Sequence, residues 1–183
     1  MPSNCSLLTT GYKLAEIECA QLNAGVWHNR IWLGTLREIT GWTVGSTANQ
    51  YSNVTFGAGD GFFELVVEKD TVQWRNEYDE GTKSFNQSLI FRIPDLGIAA
   101  RNFLQSTTGP DMVLIVQSKA GPFQIIGKDS GARLFSLVGS SEGEEVGYAV
   151  EFRAQNMTEL SPHYFVTSEV LTLANLATKV TTT

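Results

Sequence analysis

The side chains that most often do covalent or metal chemistry are scarce. Cys5 and Cys19 are the only thiols, and His28 and His163 the only imidazoles. A nucleophilic triad needs a Ser or Cys, a histidine base and a carboxylate that orients it. His28 lies in Trp27-His28-Asn29-Arg30 and His163 in Ser161-Pro162-His163-Tyr164, and neither follows a G-x-S-x-G elbow. Metal sites need closely spaced ligands, and the chain has neither C-x-x-C nor H-x-x-x-H. The two cysteines, 14 positions apart, could form one bridge and are expected as free thiols. No metal ligand, cofactor residue or catalytic residue is assigned.

Carboxylate pairs are the remaining route to acid–base chemistry, as in glycosidases. Glu64 and Glu68 share a strand face, and Glu142, Glu144 and Glu145 crowd a Gly-Ser segment. Solvated faces explain such pairs in any acidic β-protein. Gly57-Ala58-Gly59-Asp60-Gly61 lacks the Lys-Ser/Thr of a phosphate loop and reads as a turn. The aromatics offer one binding alternative, with Trp27, Trp32 and Trp42 as stacking platforms for sugars. Trp32, Trp42 and Phe152 are read instead as core or interface residues. Four N-x-S/T triplets, at Asn4, Asn53, Asn86 and Asn156, are chance matches in a chain without a visible secretory leader.

The elements that must carry these residues are mostly strands. From Val146 to Ala154, apolar residues alternate with Gly147, Ala149, Glu151 and Arg153, the pattern of a half-buried antiparallel strand. Ser84–Ile93 alternates likewise, with Phe85, Leu89, Phe91 and Ile93 on one face. Phe62–Glu68 and Thr71–Tyr78 read as a hairpin, and so do Met112–Gln117 and Pro122–Ile126. Arg133–Val138 and Val26–Val44 bring the expectation to about eight or nine strands. Loops are expected at Gly45–Asn53, Gly57–Gly61 and Gly139–Gly143.

One segment has helical spacing: Leu96, Ala99, Ala100, Phe103 and Leu104, with Asp95 at the N-cap or first turn and a stop before Thr108-Gly109-Pro110. The expected fold is therefore mainly β, an antiparallel sandwich or barrel-like core with one short flanking helix. The expected organisation is an N-terminal arm (1–24), a core domain (25–155) and a C-terminal arm or strand (156–183).

Composition narrows function further. The 183 residues hold 13 Lys+Arg against 19 Asp+Glu, a net charge of −6. Such a chain has no overall attraction to nucleic acid. It has no polybasic membrane patch and no apolar run of spanning length. The start, MPSNCSLLTTGYKLAE, carries no basic segment followed by an apolar run, so synthesis in a cytoplasm is expected. Charged residues make up 17% of the chain, below the usual ~25%, which points to apolar surface buried between subunits.

The order of features adds a resemblance. Gly25-Val26-Trp27-His28-Asn29-Arg30-Ile31-Trp32-Leu33 leads a glycine into a hydrophobic strand, and an acidic, aromatic segment follows at Phe62–Tyr78. Leu89–Leu104 then runs strand, proline, helix with Ala99-Ala100-Arg101-Asn102, followed by Met112–Gln117 and Gln124-Ile125-Ile126-Gly127. Glu144-Glu145-Val146-Gly147-Tyr148-Ala149-Val150-Glu151-Phe152 closes the pattern. Over about residues 25–155 this resembles the tail-tube structural proteins of tailed bacteriophages. The resemblance implies a β-sandwich with one flanking helix, assembled with itself as stacked hexameric rings bridged by arms or loops. It also implies a place in the virion tail beside other tail proteins, transient passage of DNA, and no enzymatic activity. Glu64, Glu68, Glu77 and Glu80 would then face the channel, where acidic side chains repel phosphates. A neck or head–tail connector ring, and the tube of an injection apparatus, are the nearest alternatives. A carbohydrate-binding sandwich is a more distant one.

Overall fold

The structure, a computed structural model, describes residues 27–68, 70–118, 122–141 and 146–181, with the side chains of 27–29 left aside. Cys5, Cys19, Glu142, Glu144 and Glu145 lie outside the described residues, as do the expected N-terminal arm and the side chains of Trp27 and His28.

The fold is mainly β, with two sheets and no closed barrel. In chain order the strands are β1 (Trp27–Thr35), β2 (Ile39–Val44), β3 (Gln50–Phe56), β4 (Phe63–Val66), β5 (Gln73–Asp79) and β6 (Ser84–Ile93). Helix α1 (Ile98–Ser106) is followed by β7 (Met112–Ser118), β8 (Phe123–Ile126), β9 (Arg133–Ser140), β10 (Gly147–Met157), β11 (His163–Tyr164) and helix α2 (Glu169–Ala177). The larger sheet has the order β2-β3-β11-β8-β7-β1-β4, and the smaller β5-β6-β10-β9. All pairings are antiparallel except β11 with β3.

The larger sheet is apolar on both faces, and that dictates its cover. Ile31, Leu33, Leu114, Val116 and Ile126 meet Leu89, Phe91, Ile93, Val150 and Phe152 of the smaller sheet. On the opposite face Trp32, Val54, Val113, Ile115, Phe123, Ile125 and Tyr164 form a second cluster with Leu176 of α2. Strands β7 and β8 sit between the clusters, and every residue from Met112 to Gln117 and from Phe123 to Ile126 is buried. Such strands read as unbroken apolar runs because neither face meets water.

Several expectations change here. Phe62–Glu68 and Thr71–Tyr78 do not form a hairpin: β4 pairs with β1 in the larger sheet, and β5 with β6 in the smaller. The chain crosses between sheets after Val66, anchoring Val67 and Val72 in the core. The expected loop at Gly45–Asn53 becomes strand from Gln50, because β2 and β3 pair around a turn closed by the Gly45 N–H on the Gln50 carbonyl at 2.7 Å. Eleven strands are present among the described residues, not eight or nine. Gly97, not Asp95, is the N-cap of α1, and Asp95 Oδ1 accepts from the Gly97 N–H at 2.7 Å.

The C-terminal segment differs most. A second helix, α2, joins the single one expected, and β11 lies inside the larger sheet between β3 and β8. Ser168 caps α2 by accepting from the Leu171 N–H at 3.3 Å. The chain then returns beside Phe62, which bridges Val180. Gly61 is required at this crossing, since a Cβ there would stand 2.4 Å from the Lys179 carbonyl oxygen. Residues 156–181 thus supply a strand of the larger sheet, the strand alternative of the expected C-terminal segment, together with a helix that covers its second face.

A buried glutamine fastens the sandwich. Gln87 donates Nε2–H to the Glu159 carbonyl at 3.2 Å and accepts the Gly127 N–H on Oε1 at 3.1 Å, while 1% exposed. Leu176→Ala should remove about 2–5 kcal/mol of stability, measured by denaturant unfolding. A loss below about 0.5 kcal/mol would mean that α2 does not seal the second face.

Candidate functional site

The described surface with the most unusual composition is the smaller sheet, on its face away from the core. Register and burial place Gln73, Arg75, Glu77 and Asp79 of β5 there, beside Asn86, Ser88, Ile90 and Arg92 of β6. Ala149, Glu151 and Arg153 of β10 continue the row, and Arg133, Phe135, Ser136 and Val138 of β9 complete it. None of these residues is buried, so the face is open among the described residues.

Its charges are organised. Arg153 Nε donates to Glu151 Oε1 at 2.5 Å, and its guanidinium lies 3.4 Å from the centre of the Phe135 ring. The placement of Phe135 follows from an irregularity: Glu151 pairs with Ser136 but Phe152 with Leu134, leaving Phe135 as the extra residue. A bulge of this kind re-aims one side chain. Arg92 Nε stands 3.5 Å from Glu68 Oε2 at the sheet's rim.

The edges of this sheet differ from its face. Among the described residues β9 pairs only with β10, and β5 only with β6. Along β9, Phe135, Leu137 and Val138 are 57%, 40% and 59% exposed. Such an edge is a ready template for pairing with another chain. Beside it lies a groove of about 600 Å³ between α1 and β9, with Leu96, Leu104, Leu137 and Tyr148 in its wall.

The four candidate channel carboxylates do not share this face. Glu77 lies on it and Glu68 at its rim, while Glu80 sits in the exposed turn after β5. Glu64 belongs to β4 in the other sheet, 3.3 Å from Arg30. Their expected grouping rested on a hairpin that the crossover between sheets replaces.

Of the aromatics, Trp32 is 2% exposed and tilted against Phe123 at 6.0 Å. Trp42 is half-buried, edge-on to Tyr51 at 5.7 Å and to Tyr164 at 6.4 Å. Phe152 is buried and stacks on Phe91 at 6.1 Å. Trp32 presents no open ring face to a sugar, and Trp42 is held by two aromatic neighbours.

His163 and Glu169 border one cleft of about 510 Å³. His163 belongs to β11, whereas Glu169 opens helix α2, and each is engaged by a different glutamine. His163 pairs with Gln124, whose Nε2 is 3.1 Å from Nδ1, whereas Glu169 accepts from Gln117, which lies opposite Phe123. They do not converge as a catalytic pair. Among the described residues no group of three or more His, Cys, Asp or Glu is placed to hold a metal. No helix among them is long and apolar enough to cross a membrane.

Other ionisable groups fasten the scaffold. Arg133 donates to Asp111 at 2.6 Å and holds that carboxyl below its ordinary range. Lys128 sits 3.4 Å from Glu159 and 4.8 Å from the Tyr51 ring centre. Burial opposes its charge, but Asp129 and Tyr51 outweigh that and raise its pKa. The Tyr164 hydroxyl meets Asn175 Oδ1 of α2, and burial pushes the phenol well above its ordinary value.

The two sheets and their helices define a β-sandwich protein. No protein-family model, curated protein or solved structure matches the chain.

The sign of the Tyr164 shift sets an alkaline limit. Its folded pKa lies above the unfolded value near 10, so its contribution is complete below pH 10 and is lost as pH rises toward the folded value. Denaturant midpoints measured from pH 8 to 11 should fall above about pH 10, and Tyr164→Phe should flatten that fall. An equal fall in the variant would reject Tyr164 as its source.

Proposed function

We propose that this chain is a non-enzymatic structural protein that assembles with itself into stacked rings of a bacteriophage tail tube, a conduit for DNA. The observation that carries the reading is the smaller sheet's pair of open edges. β5 has 7 residues and β9 has 8, so the two are matched in length. The edges lie at opposite sides of one sheet, and head-to-tail contacts between two different edges generate rings when the rotation closes. Exposed Phe135, Leu137 and Val138 supply apolar surface to such a contact. The ring would present the polar face of the sheet along one continuous wall.

The hexameric number, the virion location after synthesis in a host cytoplasm, and contacts with other tail proteins come from the resemblance to tail-tube proteins. A neck or connector ring, or the tube of an injection apparatus, would use the same edges. Long tubes against single rings separates the first of these. The sugar-binding alternative is weakened by the packing of Trp32 and Trp42.

Negative-stain microscopy of the purified chain should show tubes or rings, and sedimentation should show species much larger than 20.1 kDa. Val138→Lys, at a position 59% exposed, should abolish assembly while changing monomer stability by no more than about 0.5 kcal/mol. A stable monomer at high concentration, or a variant that assembles like the parent, would overturn the reading.

A further inference from the structure

The open face of the smaller sheet carries four arginines (Arg75, Arg92, Arg133 and Arg153) against four carboxylates (Glu68, Glu77, Asp79 and Glu151), and Asp111 reaches Arg133 from outside the sheet. An arginine beside a polyanion is normally a grip, because each neutralised phosphate releases counterions and strengthens binding. Here three of the four are already held, Arg133 by Asp111 at 2.6 Å. Arg153 is committed to Glu151 at 2.5 Å and laid along the sheet by Phe135 at 3.4 Å. Arg92 is committed to Glu68 at 3.5 Å, with only 16% of its side chain exposed. The neutral residues between them, Asn86, Ser88, Gln73 and Ser136, offer hydrogen bonds without charge.

We infer that Glu68, Glu151 and Asp111 mask three of the four arginines of this face, so that duplex DNA moves past it without being retained. The inference rests on the tube reading for the identity of the passing polymer. It replaces repulsion by a uniformly acidic wall with local cancellation of charge. Non-retention is then a property of three ion pairs and one bulge, and net charge alone does not produce it.

The partnership has a chemical cost that predicts its failure. Replacing Glu68 or Glu151 by its amide removes the competing anion and leaves the guanidinium charge without that carboxylate opposite it, open to attraction by phosphate. The bulge matters for the same reason, since Phe135 holds the Arg153 guanidinium flat rather than extended.

The test measures binding of a short fluorescent DNA duplex by anisotropy at 50 and 200 mM salt. The probe is added to the parent chain, to Glu68→Gln/Glu151→Gln, and to Glu38→Gln/Asp60→Asn. The last pair makes the same change in net charge in the connections of the larger sheet, away from this face. The first double variant should bind at least about tenfold more tightly than the parent at 50 mM salt and lose that gain at 200 mM. The control pair should bind like the parent. Adding Arg92→Gln and Arg153→Gln to the first variant should abolish its gain.

No gain in the first variant, or an equal gain in the control, overturns the inference. Should Glu151→Gln lower the melting temperature sharply, Glu68→Gln/Glu77→Gln tests the same face without touching β10. Micrographs of the same samples test assembly separately. Absence of rings counts against the tube reading, whereas the difference in DNA binding between variants judges the masking itself.

Discussion

The structure depends on one constraint: the β7–β8 hairpin is apolar on both sides and has to be shielded from water on both. Leu114, Val116 and Ile126 call for one cover, and Val113, Ile115, Phe123 and Ile125 for another. At about 25 cal/mol per Å² of apolar surface, leaving either face wet would offset much of a domain's stability. The smaller sheet supplies the first cover. The second is assembled from α2 and the segment that returns beside Phe62. The polar side of the smaller sheet is the consequence: with its inner face committed to the core, its outer face is left to water.

Strand identity was legible where one face is wet. Ser84–Ile93 and Val146–Ala154 alternate cleanly because β6 and β10 have one apolar and one polar side. The β7–β8 hairpin was legible from its two apolar runs and the glycine between them. Partnership was harder to read. Nothing local in Phe62–Tyr78 says that its two strands belong to different sheets, since short separation and alternation fit a hairpin equally well. The C-terminal helix was concealed by its Thr-rich surroundings, although Ser168 followed by Glu169 is a usable start signal.

The candidate surface was only partly legible. Glu151 and Arg153 stand two apart on one strand, a spacing that puts both on one face. Phe135 could not be joined to them from sequence, because its position depends on a register shift that no local pattern encodes. Glu64 was misplaced for the opposite reason: a plausible local pairing pointed to the wrong sheet. The acidic net charge was visible from composition, but the distribution that gives it meaning belongs to the fold. Seen on the sheet, the carboxylates divide between those beside an arginine and those that are not, and composition cannot draw that line.

The insertion of β11 between β3 and β8 bears on how the chain reaches this state. Strands β3 and β8 are joined through His163 and Tyr164, which pair with Gln50 and Tyr51 on one side and with Phe123 and Gln124 on the other. More than a hundred residues separate His163 from Gln50 in sequence. Contacts of such separation slow folding, because loop entropy is lost before the contact is made. On the ribosome, the larger sheet would stay divided until residues 163–164 emerge, with Phe123 and Val54 on different fragments. Completion of the larger sheet is thereby coupled to synthesis of the segment that also covers it, so the second core cluster closes late in the chain's production.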